Sequence, residues 1–346
     1  LGPEGAVDAL GFDDAYAISD IDDILPGLIE GRRRVFYHFG REVEFDLKLI
    51  GWVNRVRALV KQGAESPHEF QELGHLLHDL RLFKSKAEIR LMQHSANIAA
   101  LAHRRAMQAC RPGMHEFEIE AELQYVFRKH GAVASYEPIV GGGGNACVLH
   151  YRNNDAPLAN GELLLIDAGA EFQGYASDIT RTFPINGSYS REQRALHDLV
   201  EAAQQAAMAQ VFPGNTWIAP HDAAVEVLTE GMLRLGLLKG SLKDALAKES
   251  YRRFYMHKTG HWLGLDVHDV GDYRVGGEYR LLEPGMVLTI EPGIYIAPGS
   301  KGVAHKWQGI GIRIEDDLLV TEQGHKVLSE HAPRSADDIE AWMSAS

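Results

Sequence analysis

Two acidic residues follow runs of apolar residues and occupy matching positions in two separate segments. Asp167 follows residues 163–166, and Glu291 follows residues 287–290. In both segments the acid lies six residues after one glycine and two before another. Such runs predict strands buried on both faces, and a carboxylate is costly to bury unless a cation or hydrogen bonds compensate it. Either acid alone could cap a turn, but the matched pair favours a shared cation site.

A second acid accompanies each of the first two. Asp178 lies eleven residues after Asp167, with a Gln-Gly pair between them that is typical of a hairpin turn. Strands on the two sides of that turn would be antiparallel neighbours, so the two carboxylates could converge. Glu315 lies two residues after Arg313 in an apolar segment, and strand alternation would place both side chains on one face. An ion pair on the surface of one strand explains Arg313 and Glu315 equally well.

Three histidines lie close together among glycines and apolar residues: His257, His261 and His268. Their spacing matches neither a zinc finger nor a His-Glu-x-x-His helix. By spacing alone, structural hydrogen bonding explains these histidines at least as well as metal binding does.

Four carboxylates and one histidine would form an oxygen-rich set of metal ligands. Such a set suits hard divalent ions such as Mn²⁺, Co²⁺ or Mg²⁺, and four negative charges balance two of these ions. Two metals ~3.5–4 Å apart can lower the pKa of a shared water and hold both ends of a displacement. The residues therefore point to a dinuclear hydrolytic centre.

The elements that would position these residues occur twice along the chain. Pro-Gly pairs at residues 112–113 and 213–214 each precede a helical pattern, over residues 116–130 and 219–235. Each pattern is followed later by an apolar strand that ends in an acid. We interpret the chain as α+β, with a duplicated half whose two copies bring two pairs of acids to one centre.

The bulk composition excludes several classes of protein. The chain has 346 residues, 45% apolar and 24% charged, which is ordinary for a soluble globular protein. A net charge of -13 argues against binding to nucleic acid or anionic membranes, and no run reaches the ~20 apolar residues of a membrane span. The two cysteines, Cys110 and Cys147, do not form a disulfide framework. We therefore expect a reducing, cytoplasmic setting.

Four segments closely resemble, in order, the motifs of the bacterial aminopeptidase P (Xaa-Pro aminopeptidase) group of pita-bread metallopeptidases. They are residues 174–184 (GYASDITRTFP), 261–269 (HWLGLDVHD), 283–293 (EPGMVLTIEPG) and 311–317 (GIRIEDD). The resemblance covers about residues 83–335. It is more specific for the wider metallopeptidase family than for aminopeptidase P over prolidase.

The resemblance implies a fold and a domain organisation. Residues 83–346 would form a pseudo-twofold duplicated pita-bread (creatinase/aminopeptidase) catalytic domain. Residues 1–82 would be the last part of an N-terminal α/β domain. The chain starts without an initiator methionine, so we expect that earlier residues of this domain are missing from the sequence.

The resemblance also implies roles for individual residues. The metal ligands would be Asp167, Asp178, His261, Glu291 and Glu315. They would bind two divalent ions, with Mn²⁺ favoured and Co²⁺ or Zn²⁺ as alternatives. His150 matches a histidine of the substrate pocket, and Arg313 matches a residue beside Glu315. Tyr295 matches a tyrosine close to the metals.

We hypothesise that a metal-bridging hydroxide attacks the carbonyl of the first residue in a proline-containing peptide. His268, together with His257, would stabilise the oxyanion, and Glu291 would transfer the proton of the water to the proline nitrogen. That nitrogen carries no hydrogen in the substrate, so selectivity depends on the shape of a pocket for the ring. Candidate walls of that pocket are His150, Tyr295 and Trp262, although a position in the apolar core explains Trp262 equally well. We further expect a homo-oligomer, either a dimer or a tetramer.

Three alternatives remain open. Prolidase shares the same centre but cleaves only dipeptides. Creatinase-like enzymes share the fold without metals and would not need five intact ligands. A non-catalytic peptide-binding module on the same fold usually shows broken ligands.

Overall fold

Residues 1–345 are described by a computed structural model and divide into two units, Leu1–Asp79 and the chain from Leu80 onward. The first unit holds a two-stranded parallel sheet and three helices: α1 (Gly2–Leu10), α2 (Ile21–Ile29), β1 (Arg34–Tyr37), α3 (Val43–Ala58) and β2 (Glu69–Glu72). Helix α4 (Gly74–Leu82) follows. Ile29 of α2 and Trp52 of α3 belong to one small apolar core. The assignment of residues 1–82 to a larger N-terminal domain stays a prediction.

The second unit begins with two helices and a series of short strands. These are α5 (Lys86–Ala109), α6 (Glu116–Lys129), β3 (Val133–Ala134), β4 (Ile139–Gly142), β5 (Leu163–Asp167), β6 (Ala170–Phe172), β7 (Tyr175–Ala176) and β8 (Thr180–Pro184). Strand β5 lies between β4 and β8, antiparallel to both. The helices α5 and α6 share one apolar core with this sheet.

The remaining elements repeat the same plan. They are α7 (Arg191–Met208), α8 (Ala219–Arg234), α9 (Leu242–Ala247), β9 (Arg274–Val275), β10 (Glu278–Tyr279), β11 (Val287–Ile290), β12 (Gly293–Ile296), β13 (Ile310–Arg313), β14 (Asp316–Thr321), β15 (Gly324–Val327) and α10 (Ala336–Ser344). Strand β14 lies between β11 and β15, and β12 pairs with β13, all antiparallel. Helices α7 and α8 share a second apolar core with these strands. None of the described helices is long and apolar enough to cross a membrane.

The hairpin predicted between Asp167 and Asp178 is present. Strands β6 and β7 pair across Gln173 and Gly174, which both have positive φ angles of 51° and 83°. Two successive positive φ angles define the type I′ turn that matches the twist of a two-stranded hairpin. The hairpin returns the chain towards the end of β5, where Asp167 lies.

The expectation that Arg313 and Glu315 share one face of a regular strand is wrong. Strand β13 ends at Arg313 and β14 begins at Asp316. Between them the backbone N–H of Ile314 donates to Pro292 and that of Glu315 donates to Thr180. The chain crosses here from the sheet of β12 and β13 to the sheet of β11, β14 and β15. Glu315 therefore lies in a break between strands and not in strand alternation with Arg313.

A buried ion pair stabilises the segment in which the chain crosses between the two sheets. Arg181 of β8 donates to Asp316 Oδ1 at 2.7 Å and to the backbone oxygen of Glu315 at 2.6 Å. Both side chains are at most 1% exposed. Asp316 also accepts from Ser329 at 2.6 Å and from Arg334 at 3.4 Å. The pair therefore ties the first half to the segment that carries Glu315.

We predict that Arg181→Met lowers the free energy of unfolding by ~3–5 kcal/mol, because it leaves the Asp316 carboxylate buried without its main cation. Arg334→Met is the matched control, since Arg334 reaches the same carboxylate from a position that is 33% exposed. That control should cost only ~0–1 kcal/mol. Chemical denaturation followed by tryptophan fluorescence measures both. Equal losses in the two variants would contradict the proposed importance of Arg181.

Candidate metal centre

A cavity of about 270 Å³ lies where the acid-bearing strands of the two halves end. It is lined by Leu149, His150, Asp167, Asp178, His257, Lys258, Gly260, His261, His268, Glu291, Arg313 and Glu315. The structure thus brings together the five expected metal ligands with His150, His257, His268 and Arg313, whereas Tyr295 and Trp262 do not line the cavity. Tyr295 is only 3% exposed and lies beneath His257 and Arg313.

The first half contributes two carboxylates. Asp167 is the last residue of β5, and Asp178 follows the hairpin formed by β6 and β7. Gly169 allows the hairpin to approach, because a Cβ atom there would overlap the backbone oxygen of Ser177. The backbone N–H of Asp178 donates to both carboxylate oxygens of Asp317 at 3.2 Å. This contact fixes Asp178 against the second half.

The second half contributes the other two carboxylates. Glu291 follows β11, and its backbone N–H donates to Thr259 at 2.7 Å. Glu315 is 2% exposed and accepts a hydrogen bond from the Thr180 hydroxyl at 2.7 Å. Thr180 pairs with Asp167 in the sheet of the first half, so each half helps to hold an acid of the other.

His261 faces the carboxylates through its Nε2 atom. This atom lies 3.4 Å from Asp178 Oδ2 and 3.9 Å from Glu291 Oε1. Its Nδ1–H donates to the Trp262 carbonyl at 2.9 Å, which leaves Nε2 directed into the cavity. Burial opposes the charged form of His261, but the neighbouring Asp178 and Glu291 outweigh it and raise its pKa to about 9.

The other two histidines of the cluster differ in their surroundings. His257 has both nitrogens engaged, with Nδ1–H donating to Lys258 O at 2.7 Å and Nε2 accepting from the Tyr295 hydroxyl at 2.8 Å. Burial, with Arg313 nearby, lowers the pKa of His257 to about 3. His268 is exposed to the cavity, with its ring centroid 4.4 Å from that of His261. Of the two, His268 is the better placed to contact a bound ligand.

Arg313 is the main cation of the cavity. Its guanidinium donates to Asp167 at 2.6 Å, to the Tyr295 hydroxyl at 3.0 Å and to the Thr180 hydroxyl at 3.1 Å. Since Thr180 donates in turn to Glu315, one connected network holds acids from both halves. The hydrogen bonds of the guanidinium therefore go to groups of the protein, and Arg313 orients these groups.

Trp262 does not line the cavity, so the core position is the correct one of the two interpretations of this residue. The ring is fully buried and packs between Trp217, at 4.1 Å, and Tyr273, at 5.6 Å between centroids. Trp262 directly follows His261, and its burial in the apolar core anchors that histidine.

Comparison with known proteins places the chain in a family. The profile of metallopeptidase family M24 matches residues 90–322. The chain belongs to this family. It is 41% identical to the Xaa-Pro aminopeptidase of Escherichia coli K12, over 100% of this chain and 78% of the relative. It is 44% identical to the Xaa-Pro aminopeptidase of Haemophilus influenzae Rd, over 99% and 77%.

Solved structures agree with this assignment. An aminopeptidase from Pseudomonas aeruginosa has a TM-score of 0.97 and 55% identity, covering 99% of this chain and 78% of that one. Proline aminopeptidase P II from Yersinia pestis has a TM-score of 0.96 and 41% identity, covering 100% and 79%. The predictions of a peptidase and of an α+β pita-bread fold are confirmed.

The donor set of the cavity fits the divalent ions that this family implies. Burial, together with the other carboxylates, raises the pKa of Glu315 well above its usual value. Burial also raises the pKa of Glu291 to about 7, against the opposing influence of His261 and Arg313. Ligand atoms of Asp178, His261 and Glu315 lie within 4.8 Å of one another. Negative charge thus exceeds the positive charge available, and divalent cations would balance it.

Tyr136 is a residue of this site that sequence reasoning missed. Its hydroxyl lies 2.5 Å from Oδ1 of both Asp167 and Asp178. Burial and these carboxylates raise its pKa well above the usual value, so it remains a hydrogen-bond donor. Tyr136 lies outside the four motifs, and nothing in its local pattern distinguishes it from a core tyrosine.

We predict that Tyr136→Phe weakens metal binding, because the hydroxyl holds two neighbouring carboxylates in register. After removal of metal by a chelator, the Mn²⁺ concentration for half-maximal activity should rise roughly 10–100-fold, as for other residues that orient metal ligands. Tyr125→Phe is the control, since Tyr125 is 50% exposed on α6. An unchanged Mn²⁺ requirement in Tyr136→Phe would refute the role.

Proposed function

We propose that this chain is a Xaa-Pro aminopeptidase, which hydrolyses the bond before proline and releases the first residue of a peptide. The observation that carries the proposal is the single cavity in which four carboxylates and His261 meet. Relatives that are 41% and 44% identical over nearly the whole chain have this activity in their names.

Asp167, Asp178, His261, Glu291 and Glu315 would hold two divalent ions in this cavity. Two such ions lower the pKa of a shared water and polarise the scissile carbonyl. Mn²⁺ is favoured because the ligands are mainly carboxylate oxygens, with Co²⁺ or Zn²⁺ as alternatives.

Side chains of the cavity would then transfer the protons and stabilise the negative charge that develops on the carbonyl oxygen. Glu291 borders the cavity and is the proposed carrier of the water proton to the proline nitrogen. His268, exposed to the same cavity, would donate to the oxyanion. His257 borders the same cavity and would hold Tyr295 in position through their hydrogen bond.

Selection of proline has to depend on shape, since the proline nitrogen offers no hydrogen. His150 and Leu149 border the cavity and are the proposed contacts of the ring. Arg313 and Tyr295 would set the position of this wall through their shared hydrogen bond. The carboxylates would bind the free amino group of the substrate.

The space around the cavity favours substrates longer than a dipeptide. A second cavity of about 500 Å³ shares His150, Asp167, Asp178 and His268 with the first. It extends past Ile139 to the rim, where an ion pair between Arg152 and Glu137 lies at 3.3 Å. This room suits the residues after proline, which a strict dipeptidase would not need to accommodate.

The substrate preference can be tested by comparing kcat/KM for three synthetic peptides of the forms Xaa-Pro-Xaa, Xaa-Pro and Xaa-Ala-Xaa. We expect Xaa-Pro-Xaa to give the highest kcat/KM in Mn²⁺-loaded enzyme, because it fills both cavities. Release of the first residue is measured by chromatography. A strict preference for Xaa-Pro would identify a prolidase instead, and no cleavage of any peptide in excess Mn²⁺ would favour a non-catalytic binding module.

Glu291 can be tested by a substitution that keeps its size and removes its charge. Replacement by Gln removes the proposed proton carrier and should lower kcat by roughly 10²–10⁴-fold. Glu283→Gln is the matched control, because Glu283 belongs to the same segment but is exposed. Near-normal turnover of Glu291→Gln with Xaa-Pro-Xaa would exclude its role. A homo-oligomer, either a dimer or a tetramer, and a cytoplasmic setting complete the proposal.

A further inference from the structure

His197 on α7 is a buried histidine that the proposed function does not use. Its side chain is fully buried, and neither ring nitrogen has a hydrogen-bond partner among the described residues. Its ring lies beside that of Tyr189, with the two centroids 5.0 Å apart. Burying polar atoms without partners is unfavourable, and native proteins rarely do so without an ion, a water or a functional reason.

Two carboxylates lie beside this ring. A His197 ring nitrogen, an Asp198 oxygen and a Glu201 oxygen all lie within 4.8 Å of one another. His197 and Glu201 are four residues apart and therefore share one face of the helix. Asp198 is exposed, and Glu201 borders a cavity of about 810 Å³ whose lining includes exposed Lys326 and Glu330. An ion could therefore reach the group from solvent.

The protonation of these groups suits metal binding. Burial, with Arg194 and Arg181 nearby, lowers the pKa of His197 to about 3, so the ring is neutral and keeps a free lone pair. Metals bind histidine in this neutral form. Burial raises the pKa of Glu201 against the influence of Arg334, so this carboxylate would gain from a nearby cation.

We propose that His197, Asp198 and Glu201 form a second, non-catalytic site for a divalent transition metal such as Zn²⁺. One imidazole with two carboxylates is a donor set that Zn²⁺ accepts, at ligand distances of ~2.0–2.2 Å. The three ligand atoms must draw closer to reach these distances. Asp198 can move because it is exposed, and it would then give up its 2.9 Å ion pair with Arg194.

The position of the site on α7 indicates a structural role. Gln204 follows His197 by seven residues and lies on the same helix face. Its amide donates to the backbone oxygens of Ile290 at 3.2 Å and Ile314 at 3.1 Å. These residues directly precede Glu291 and Glu315. An ion at His197 would therefore stabilise the helix that supports both acids from behind, whatever the substrate of the enzyme.

The experiment uses the full chain and Zn²⁺ alone as the probe. Anomalous diffraction at the zinc edge should show a peak between His197 and Glu201, separate from any peak in the catalytic cavity. In equilibrium dialysis, the wild type should bind about one more Zn²⁺ per chain than either His197→Phe or Glu201→Gln. Glu226→Gln removes an exposed carboxylate of α8 and should bind as much Zn²⁺ as the wild type.

Neither His197 nor Glu201 lines the catalytic cavity, so both variants should keep the peptidase activity of the Mn²⁺-loaded wild type. Phenylalanine retains the size of the ring, and Glu201→Gln decides the question if His197→Phe does not fold. The proposal is overturned if the wild type shows no anomalous peak at His197. It is equally overturned if Glu201→Gln binds as much Zn²⁺ as the wild type.

Discussion

The crowding of four carboxylates in one small cavity is the constraint on which the rest of this structure depends. Buried carboxylates repel one another, and burying them is costly unless cations and hydrogen bonds compensate. Arg313, His261 and the Tyr136 hydroxyl supply part of this compensation within the chain. Arg313 belongs to β13, whereas His261 and Tyr136 lie in segments between the named helices and strands. The ends of β5 and β11 and the close approach at Gly169 bring the acids together despite their repulsion.

Three consecutive acids, Glu315, Asp316 and Asp317, make contacts in three different places. Glu315 faces the cavity, Asp316 turns away from it to bind Arg181, and Asp317 accepts from the backbone of Asp178. The break between β13 and β14 makes this division possible, since a regular strand would place Glu315 and Asp317 on one face. The irregularity at Glu315 therefore allows the segment to bind the first half on two sides and to line the cavity as well.

The parts of this arrangement that sequence reasoning predicted are those with a local pattern. Apolar runs that end in acids predicted where Asp167 and Glu291 lie, and the Gln-Gly pair predicted the hairpin before Asp178. The crossing at Glu315 was missed because its cause is hydrogen bonding to a distant strand. The sequence could not decide between a core position and a pocket wall for Trp262, because an aromatic residue has the same local pattern in both. Tyr136 was missed because only the tertiary fold brings it to the acids.

Neither half of the duplicated domain could form the centre alone. Asp167 and Asp178 come from the first half, while His261, Glu291 and Glu315 come from the second. Within the cavity, side chains of the two halves meet directly where Arg313 donates to Asp167, where Thr180 donates to Glu315, and where His261 lies beside Asp178. An ion that binds acids of both halves binds only when the halves are docked, so its binding free energy adds to the stability of the docked state. The same carboxylates that destabilise the docked halves by repulsion would then hold them together, and assembly of the fold would be coupled to assembly of the metal centre.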